Sequence, residues 1–150
     1  MEYRPERFLT LYNQPGHILR RAKQFAQRSG ETDKPALTPV QYAVLFVISL
    51  LPGMEQQEVA AAVRYDPATT GAVLVKLEAA GIIRREPSNR SQRGLLIYAT
   101  DKGLKALEQH NPLVEKNQVR LLARLDPEER PVLLRLMSKL AGLSNSYHTP

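Results

Sequence analysis

The chain has 150 residues, of which 43% are hydrophobic, and it carries a formal net charge of +6 and a sequence pI of about 9.8. This length and apolar fraction fit one globular domain and exclude a largely disordered chain, while the charge favours an anionic partner such as nucleic acid, an acidic protein or a membrane surface. Because there is no cysteine, disulfides, thiolate chemistry and cysteine-bound zinc are excluded.

The N-terminal residues MEYRPERFLTLYN contain acids and arginines where a signal peptide would need an apolar core. The most apolar run, residues 40–51, is shorter than the ~20 residues that cross a bilayer. We therefore expect a soluble, cytoplasmic protein that does not associate with a membrane.

Helical signals dominate the first half of the chain. The first thirty residues carry an apolar stripe at helical spacing, which Pro15 and Gly16 should break or kink. Thr38, Pro39 and Gln41 match a capping box with proline at the first helical position. The apolar run that follows predicts a buried central helix.

The next segments predict a helix-turn-helix followed by a hairpin. The stretch QQEVAAAV predicts a short helix, and Asp66 with Pro67 predicts a second, capped helix that Gly81 should end. Two apolar runs within residues 82–100 then flank a short polar loop, as in a two-stranded hairpin. A short helix, a tight turn, a capped helix and a hairpin together predict a winged helix.

Two further helices should follow the hairpin. The first is long and should be kinked or restarted at Pro112. The second should start at Asp126 as N-cap, with Pro127 at N1 and Glu129 at N3. Its apolar face is wider than one packing partner usually needs and holds Leu133, Leu136, Met137, Leu140 and Leu143. The predicted fold class is mainly α with a small β-wing, a winged helix-turn-helix.

The second capped helix is the candidate recognition helix. Spacing places Thr70, Val73, Leu74 and Leu77 on its inner face. The outer face then holds Ala68, Thr69, Ala72, Val75, Lys76 and Ala79. Small side chains with one lysine would let the helix approach base edges in a major groove about 12 Å wide. Alternatively, the alanines only favour helix formation or pack against another segment.

On the DNA reading, individual side chains have expected contacts. Thr69 could hydrogen-bond a base or a phosphate, Ala68 and Ala72 could touch a thymine methyl, and Lys76 could take a phosphate or a guanine edge. The candidate DNA-binding residues also include Thr70.

The hairpin loop PSNRSQRG is small and cationic. Arg90 lies at its tip, and an arginine there can enter a minor groove about 6 Å wide. Arg84, Arg85 and Arg93 are better placed for phosphates along the edge. The alternative is a solvated turn whose charge is incidental.

Signals for an enzyme are absent from the sequence. The three histidines, His17, His110 and His148, lack metal-ligand spacing, and there is no glycine-rich phosphate loop or serine elbow. We expect no catalysis, no cofactor and no metal. A winged helix used for protein–protein contact, without specific DNA binding, is the alternative function.

Several stretches resemble the MarR family of dimeric winged-helix regulators, over most of the chain. LTPVQYAVL resembles the family's second helix, DPATTGAVLVKLEAAGIIRRE its recognition helix and first wing strand, and PSNRSQRGLLIYATDKG its wing signature. Arg90 matches the signature arginine, and Thr100 and Gly103 match the closing pair. The chain departs at Ser88, where the family usually has aspartate, and at Ala99, where it usually has leucine.

The resemblance implies an organisation and a mode of binding. It implies one domain over residues 1–150, with a DNA-binding core at about 37–103 and dimerisation helices at 1–30 and 104–146. A two-fold homodimer would bind a pseudo-palindromic operator in double-stranded DNA, with half-sites about one turn apart. Repression is the family's commoner mode. Ala72 replaces a polar or basic residue of many members, so DNA shape should contribute more to specificity.

Many members of this family release DNA when a small aromatic acid binds between the dimer helices and the winged domain. An arginine or histidine would bind the carboxylate, and aromatic faces would hold the ring. The candidate ligand-binding residues are Tyr12, His17, Arg20, Tyr42, Phe46 and His110. Alternatively, the aromatic residues are core and the arginines are solvated. The N-terminal half is most similar to the branch that represses degradation of aromatic or heteroaromatic acids, such as nicotinate.

Overall fold

The structure is a computed structural model that describes residues 10–27, 36–90 and 94–143. Its elements are α1 Pro15–Gln27, α2 Pro39–Leu50, β1 Met54–Glu55, α3 Gln56–Val63, α4 Pro67–Ala79, β2 Ile83–Pro87, β3 Leu95–Ala99, α5 Asp101–Leu122 and α6 Glu129–Leu140. The predicted fold class, mainly α with a small β-wing, is confirmed. The chain divides into two compact units, residues 32–114 and residues 1–31 with 115–150. We call them the winged-helix unit and the terminal unit.

Side-chain caps set the starts of α2 and α4 as predicted. The Gln41 amide N–H donates to Thr38 Oγ1 over 3.2 Å, and the Thr38 N–H donates to Gln41 Oε1 over 2.9 Å. Asp66 caps α4, and Pro67 occupies its first position. After α4, Gly81 has a φ of +69°, a left-handed conformation that glycine adopts without steric cost.

The sheet has three antiparallel strands rather than the two predicted. Its order is β1-β3-β2. Ile97 of the central strand β3 therefore pairs with Met54 of β1 on one side and with Arg85 of β2 on the other. The prediction missed β1 because it has only two residues, too few for an alternating pattern. This strand ties the start of α3 to the wing, since α3 begins at the next residue.

The core of the winged-helix unit lies where α2, α3, α4 and the sheet meet. Among the described residues, ten buried hydrophobic side chains form it: Leu37, Val44, Leu45, Ile48, Val59, Leu74, Leu77, Ile83, Ile97 and Leu107. The helix residues recur at three- and four-residue spacing, whereas Ile83 and Ile97 come from the inner face of the hairpin. The core therefore fixes the wing against the helix-turn-helix.

Thr100 and Gly103 fasten the end of the hairpin to the start of α5. Thr100 Oγ1 lies 2.7 Å from the Gly81 carbonyl oxygen and 3.0 Å from that of Ile82, and it accepts the Gly103 N–H over 3.1 Å. A Cβ at position 103 would lie 2.2 Å from the Ile82 oxygen. Only glycine allows this approach, which gives a physical reason for the closing pair of the signature.

Two boundary predictions need correction and a third is confirmed. α5 runs without interruption through Pro112, so of the two predicted outcomes, a kink or a restart, the restart is wrong. α6 begins at Glu129 with Glu128 as its N-cap, so Asp126 is not the cap. Asp126 lies in the preceding turn, where its N–H donates to Glu129 Oε2 over 2.9 Å. The predicted break before Pro15 is observed, since residues 13 and 14 are not helical.

Within the terminal unit, α6 exposes large hydrophobic side chains. They are Val132, Leu134, Leu136, Met137 and Leu140. In the same unit, the guanidinium carbons of Arg120 and Arg124 lie 5.6 and 4.2 Å from the ring centre of Phe25. Among the residues that the structure describes, no helix is long and apolar enough to cross a membrane.

Candidate nucleic-acid interface

The outer face of α4 is exposed and smooth. Ala68, Thr69, Ala72, Val75 and Lys76 are all exposed, whereas Leu74 and Leu77 on the opposite face are fully buried. The inner and outer faces predicted from the spacing are therefore confirmed. Because no long side chain other than Lys76 projects from this face, the backbone of α4 can approach a partner surface closely.

Asp66 and Thr69 are joined at the N-terminus of α4. Asp66 Oδ1 accepts the Thr69 N–H over 2.8 Å, and Oδ2 lies 2.5 Å from Thr69 Oγ1. The Thr69 hydroxyl is the stronger contributor to a lowered pKa of the Asp66 carboxyl, followed by the Thr69 amide. Since an ionised carboxylate can only accept, the hydroxyl must donate to it. Thr69 Oγ1 then has only acceptor capacity left for another partner.

The side chain of Thr70 is not accessible to DNA. Its side chain is fully buried, and its Oγ1 donates to the Asp66 carbonyl oxygen over 3.0 Å. Its inclusion among the DNA-binding candidates is wrong, because inner-face spacing already directs it to the core. Thr70 instead secures the first turn of the helix.

Arg84 and Arg85 are adjacent on β2 and point to opposite faces of the sheet. Arg84 is exposed, forms an ion pair with Glu86, and has its guanidinium carbon 4.5 Å from the ring centre of Tyr98. The Arg85 side chain is only 16% exposed, and its Nε lies 3.2 Å from a Glu78 oxygen on α4. Arg84 remains a candidate for phosphate contact. The expectation that Arg85 contacts phosphates is wrong, because β alternation turns it inward.

Arg90 is bound back onto the body of the winged-helix unit. Its Nη2 donates to the Gly53 carbonyl oxygen over 2.7 Å and to Glu58 Oε2 over 3.2 Å, and its Nη1 donates to Glu58 Oε1 over 3.3 Å. Both charged side chains remain about half exposed. The guanidinium at the wing tip therefore has three acceptors, two of them on the first turn of α3.

Ser88 stands where the resemblance expects an aspartate, and its hydroxyl links the Arg90 backbone to Glu55. Its Oγ accepts the Arg90 N–H over 3.1 Å and donates to Glu55 Oε1 over 2.6 Å. The Glu55 N–H in turn donates to Glu58 Oε2 over 2.7 Å. A serine is thus sufficient to shape the backbone at Arg90, while the carboxylates come from the start of α3. Arg93, the remaining DNA-binding candidate, lies outside the described residues.

Within the winged-helix unit, three predicted ligand-binding residues form one aromatic stack. The Tyr42 ring lies 5.7 Å from the Phe46 ring and 5.0 Å from the His110 ring, measured between centres. The Tyr42 hydroxyl donates to Asn111 Oδ1 over 3.1 Å. Sequence reasoning missed Asn111, because only the pairing of α2 with α5 brings it to the tyrosine.

His110 is nearly enclosed, with 7% of its surface exposed, and its Nδ1 is buried without a hydrogen-bond partner. Burial lowers the pKa of this imidazole below its ordinary value, because the interior disfavours the charged form. A neutral, unsatisfied ring nitrogen can accept or donate one more hydrogen bond, depending on its tautomer.

The other three ligand-binding candidates lie on the terminal unit. The Tyr12 and His17 rings meet edge to face, with centres 5.9 Å apart, and the guanidinium carbon of Arg21 lies 6.0 Å from the Tyr12 ring centre. Arg20 is exposed. Across the three described segments, no cluster of three or more acidic or histidine side chains could hold a metal ion.

Comparison with known proteins identifies the family. The family model described as MarR family matches residues 37–95. The chain is also 31% identical to transcriptional regulator HosA of Escherichia coli O157:H7 over 132 residues, which cover 88% of this chain and 98% of HosA. The chain belongs to the MarR family of transcriptional regulators. It is therefore a DNA-binding regulator rather than an enzyme.

Two solved structures of regulators share the fold over most of this chain. PcaV from Streptomyces coelicolor, in complex with its natural ligand, superposes with a TM-score of 0.80 at 27% identity, over 88% of this chain and 94% of PcaV. BpsR from Bordetella bronchiseptica, whose DNA binding is regulated by 6-hydroxynicotinic acid, gives a TM-score of 0.72 at 26% identity, over 84% of this chain and 97% of BpsR.

Proposed function

We propose that this MarR-family protein is a cytoplasmic homodimeric repressor that binds a pseudo-palindromic operator and releases it on binding a small aromatic or heteroaromatic acid. The observation on which the proposal most depends is the small-residue face of α4, exposed in the same compact unit as the arginine of the wing. This pairing suits one element for the major groove and one for the minor groove.

We assign the major-groove contacts to the exposed residues of α4. Ala68 and Ala72 would meet thymine methyl groups or the sugar edge, and Lys76 would contact a phosphate or a guanine. Thr69 has a narrower role than its residue type suggests. Because its hydroxyl donates to Asp66, it would accept from a base amino group, such as adenine N6 or cytosine N4, rather than donate to a phosphate.

The wing would contact the backbone and the minor groove. Arg84 is exposed and would reach phosphates, and Arg90 would enter the minor groove after leaving its partners on the protein. Arg93, in the same loop, would add a phosphate contact. The alternative function, a protein–protein interaction module, would need none of these cations. It is also not favoured by the match to HosA, a transcriptional regulator that the chain covers over 98% of its length.

Dimerisation would use the helices outside the winged-helix core, residues 1–30 and 104–146. The exposed leucines and methionine of α6 support this role, since soluble monomers rarely leave a contiguous apolar face uncovered. A two-fold interface would place two copies of α4 on successive major-groove faces about 34 Å apart.

For the effector, we propose that the Tyr42 stack with Phe46 and His110 holds an aromatic ring or borders its pocket. The unsatisfied Nδ1 of His110 supports this role, because a ligand oxygen could complete its hydrogen bonding. We keep Tyr12, His17 and Arg20 as proposed ligand-binding residues. The named ligand of BpsR, 6-hydroxynicotinic acid, supports a heteroaromatic acid as the first class to test.

Binding of the purified protein to upstream fragments of its own genome tests the function. We expect a mobility shift on a fragment containing a pseudo-palindrome, two chains per duplex by sedimentation, and loss of the shift with one nicotinate- or benzoate-type acid. Acetate at the same concentration is the control for ionic strength. No specific shift on any fragment would contradict the proposed function, and a shift insensitive to all acids would contradict the effector class.

A further inference from the structure

We infer that Glu58 is an affinity-setting residue: it holds the wing arginine Arg90 on the protein in the absence of DNA, and operator binding must displace it. This inference rests on the proposed function, because it concerns the same wing contact. It goes further by assigning a role in DNA binding to an acidic side chain on α3.

The geometry begins with where the Arg90 guanidinium points. Both of its terminal nitrogens are directed at the protein, one to the Gly53 carbonyl and both to the Glu58 carboxylate. An arginine can read a minor groove only if these nitrogens project from the wing. The bonds to Glu58 and insertion into a groove are therefore mutually exclusive for the same N–H groups.

The backbone of the wing does not depend on that ion pair. Ser88 holds the Arg90 N–H, and Glu55 holds the Ser88 hydroxyl. Arg90 can therefore swing away from Glu58 while its Cα stays in place. The exchange is a side-chain movement, and it costs the hydrogen bonds to Glu58 and Gly53.

The charge of Glu58 determines whether this exchange of partners favours or opposes DNA binding. Once Arg90 leaves, Glu58 is an unpaired anion beside incoming phosphates, so both the lost pair and the new repulsion oppose binding. The pair is half exposed, and exposed pairs correspond to factors of about 1.5 to 5 in an equilibrium constant. Glu58 thus lowers operator affinity by a modest factor.

Glu58→Gln removes the charge and keeps the fold. Glu58 occupies the third position of α3, where its Oε2 accepts the Glu55 N–H, and glutamine supplies the same capping acceptor. Glu108→Gln, at an exposed acid of α5, is the control for a change of one unit in net charge. Circular dichroism and sedimentation should show all variants folded with unchanged assembly.

The experiment is a double-mutant cycle on operator affinity, measured by fluorescence anisotropy. We expect Glu58→Gln to tighten binding by about 1.5- to fivefold, Arg90→Ala to weaken it by about tenfold, and Glu58→Gln to tighten binding less in the Arg90→Ala background, where only the repulsion is removed. Weaker or unchanged binding by Glu58→Gln would overturn the inference. Equal tightening with and without Arg90 would also overturn it, because repulsion alone would then explain the effect.

The two proposals fail in different ways. A wild-type protein without sequence-specific binding would contradict the proposed function itself. A wild-type protein that binds its operator, and whose Glu58→Gln variant binds no tighter, would contradict only the role of Glu58.

Discussion

Asp66 Oδ2 and Thr69 Oγ1 lie 2.5 Å apart at the first turn of α4. The carboxylate that caps the helix thereby also fixes the orientation of the one exposed hydroxyl on its outer face. Helix capping and DNA reading are coupled through this pair, since the hydroxyl can present only its lone pair to a base.

Thr69→Val should reduce the discrimination of one base pair in each half-site. The substitution removes the acceptor and leaves the Asp66 cap with its backbone bond to residue 69, so we expect a loss of about 1 kcal/mol for the preferred base. Thr69→Ser keeps the hydroxyl and is the control. Anisotropy with single-base operator variants measures the effect, and an unchanged preference profile for Thr69→Val would rule out base contact by this hydroxyl.

Gly103→Ala should destabilise the winged-helix unit. The new methyl group would lie 2.2 Å from the Ile82 oxygen, which forces α5 away from the hairpin at a cost of about 1–3 kcal/mol. Gly16→Ala is the matched control, because nothing lies within 4 Å of its added Cβ and alanine favours the helix. The midpoint of urea unfolding should be lower for Gly103→Ala than for the wild type, and it should not be lowered by Gly16→Ala. Equal midpoints for both variants would contradict the close approach.

Leu136→Asp should convert the dimer to monomers. Leu136 is a large hydrophobic residue exposed on α6 of the single chain, and a charge at its position would remain buried in a dimer interface at a prohibitive cost. Val75→Asp, on the outer face of α4, is the control. We expect it to remain dimeric and to lose DNA binding by repulsion. Analytical ultracentrifugation distinguishes the two, and a dimeric Leu136→Asp would place the interface elsewhere.

The stability of the protein should fall as the pH decreases below about 6.5, the ordinary histidine value. Burial lowers the pKa of His110 in the fold, so between the two values the unfolded chain binds more protons and unfolding becomes easier as the pH falls. His110→Gln should flatten this part of the pH profile, measured by thermal unfolding from pH 7.5 to 5. A slope identical to that of the wild type would show that His110 does not contribute to it.

Local signals allowed much of the helix-turn-helix to be predicted. The Thr38 and Asp66 caps, the end of α4 at Gly81 and the division of α4 into two faces depend on residues within about one helical turn. The sequence therefore predicts the exposed face of the recognition helix closely. The error at Thr70 arose because this residue lies in the first turn of α4 but faces the core.

Long-range pairs could not be predicted from such signals. Arg90 meets Glu58 across 32 positions, and Tyr42 meets Asn111 across 69. The two-residue strand β1 forms only because β3 offers it a partner. Arg84 and Arg85 had the same expected contact in the sequence, whereas strand alternation leaves Arg84 exposed and turns Arg85 inward, with its side chain only 16% exposed.

The most direct test of DNA binding by this regulator is the salt dependence of its operator affinity, measured by anisotropy between 50 and 200 mM potassium chloride. We predict that log K falls linearly with log salt, with a slope of about −0.9 for each phosphate neutralised and therefore several units for a dimer. Replacing the pseudo-palindrome by a scrambled duplex should weaken the affinity at every salt concentration. A flat salt response, or equal affinity for the scrambled duplex, would contradict sequence-specific recognition by α4 and the wing.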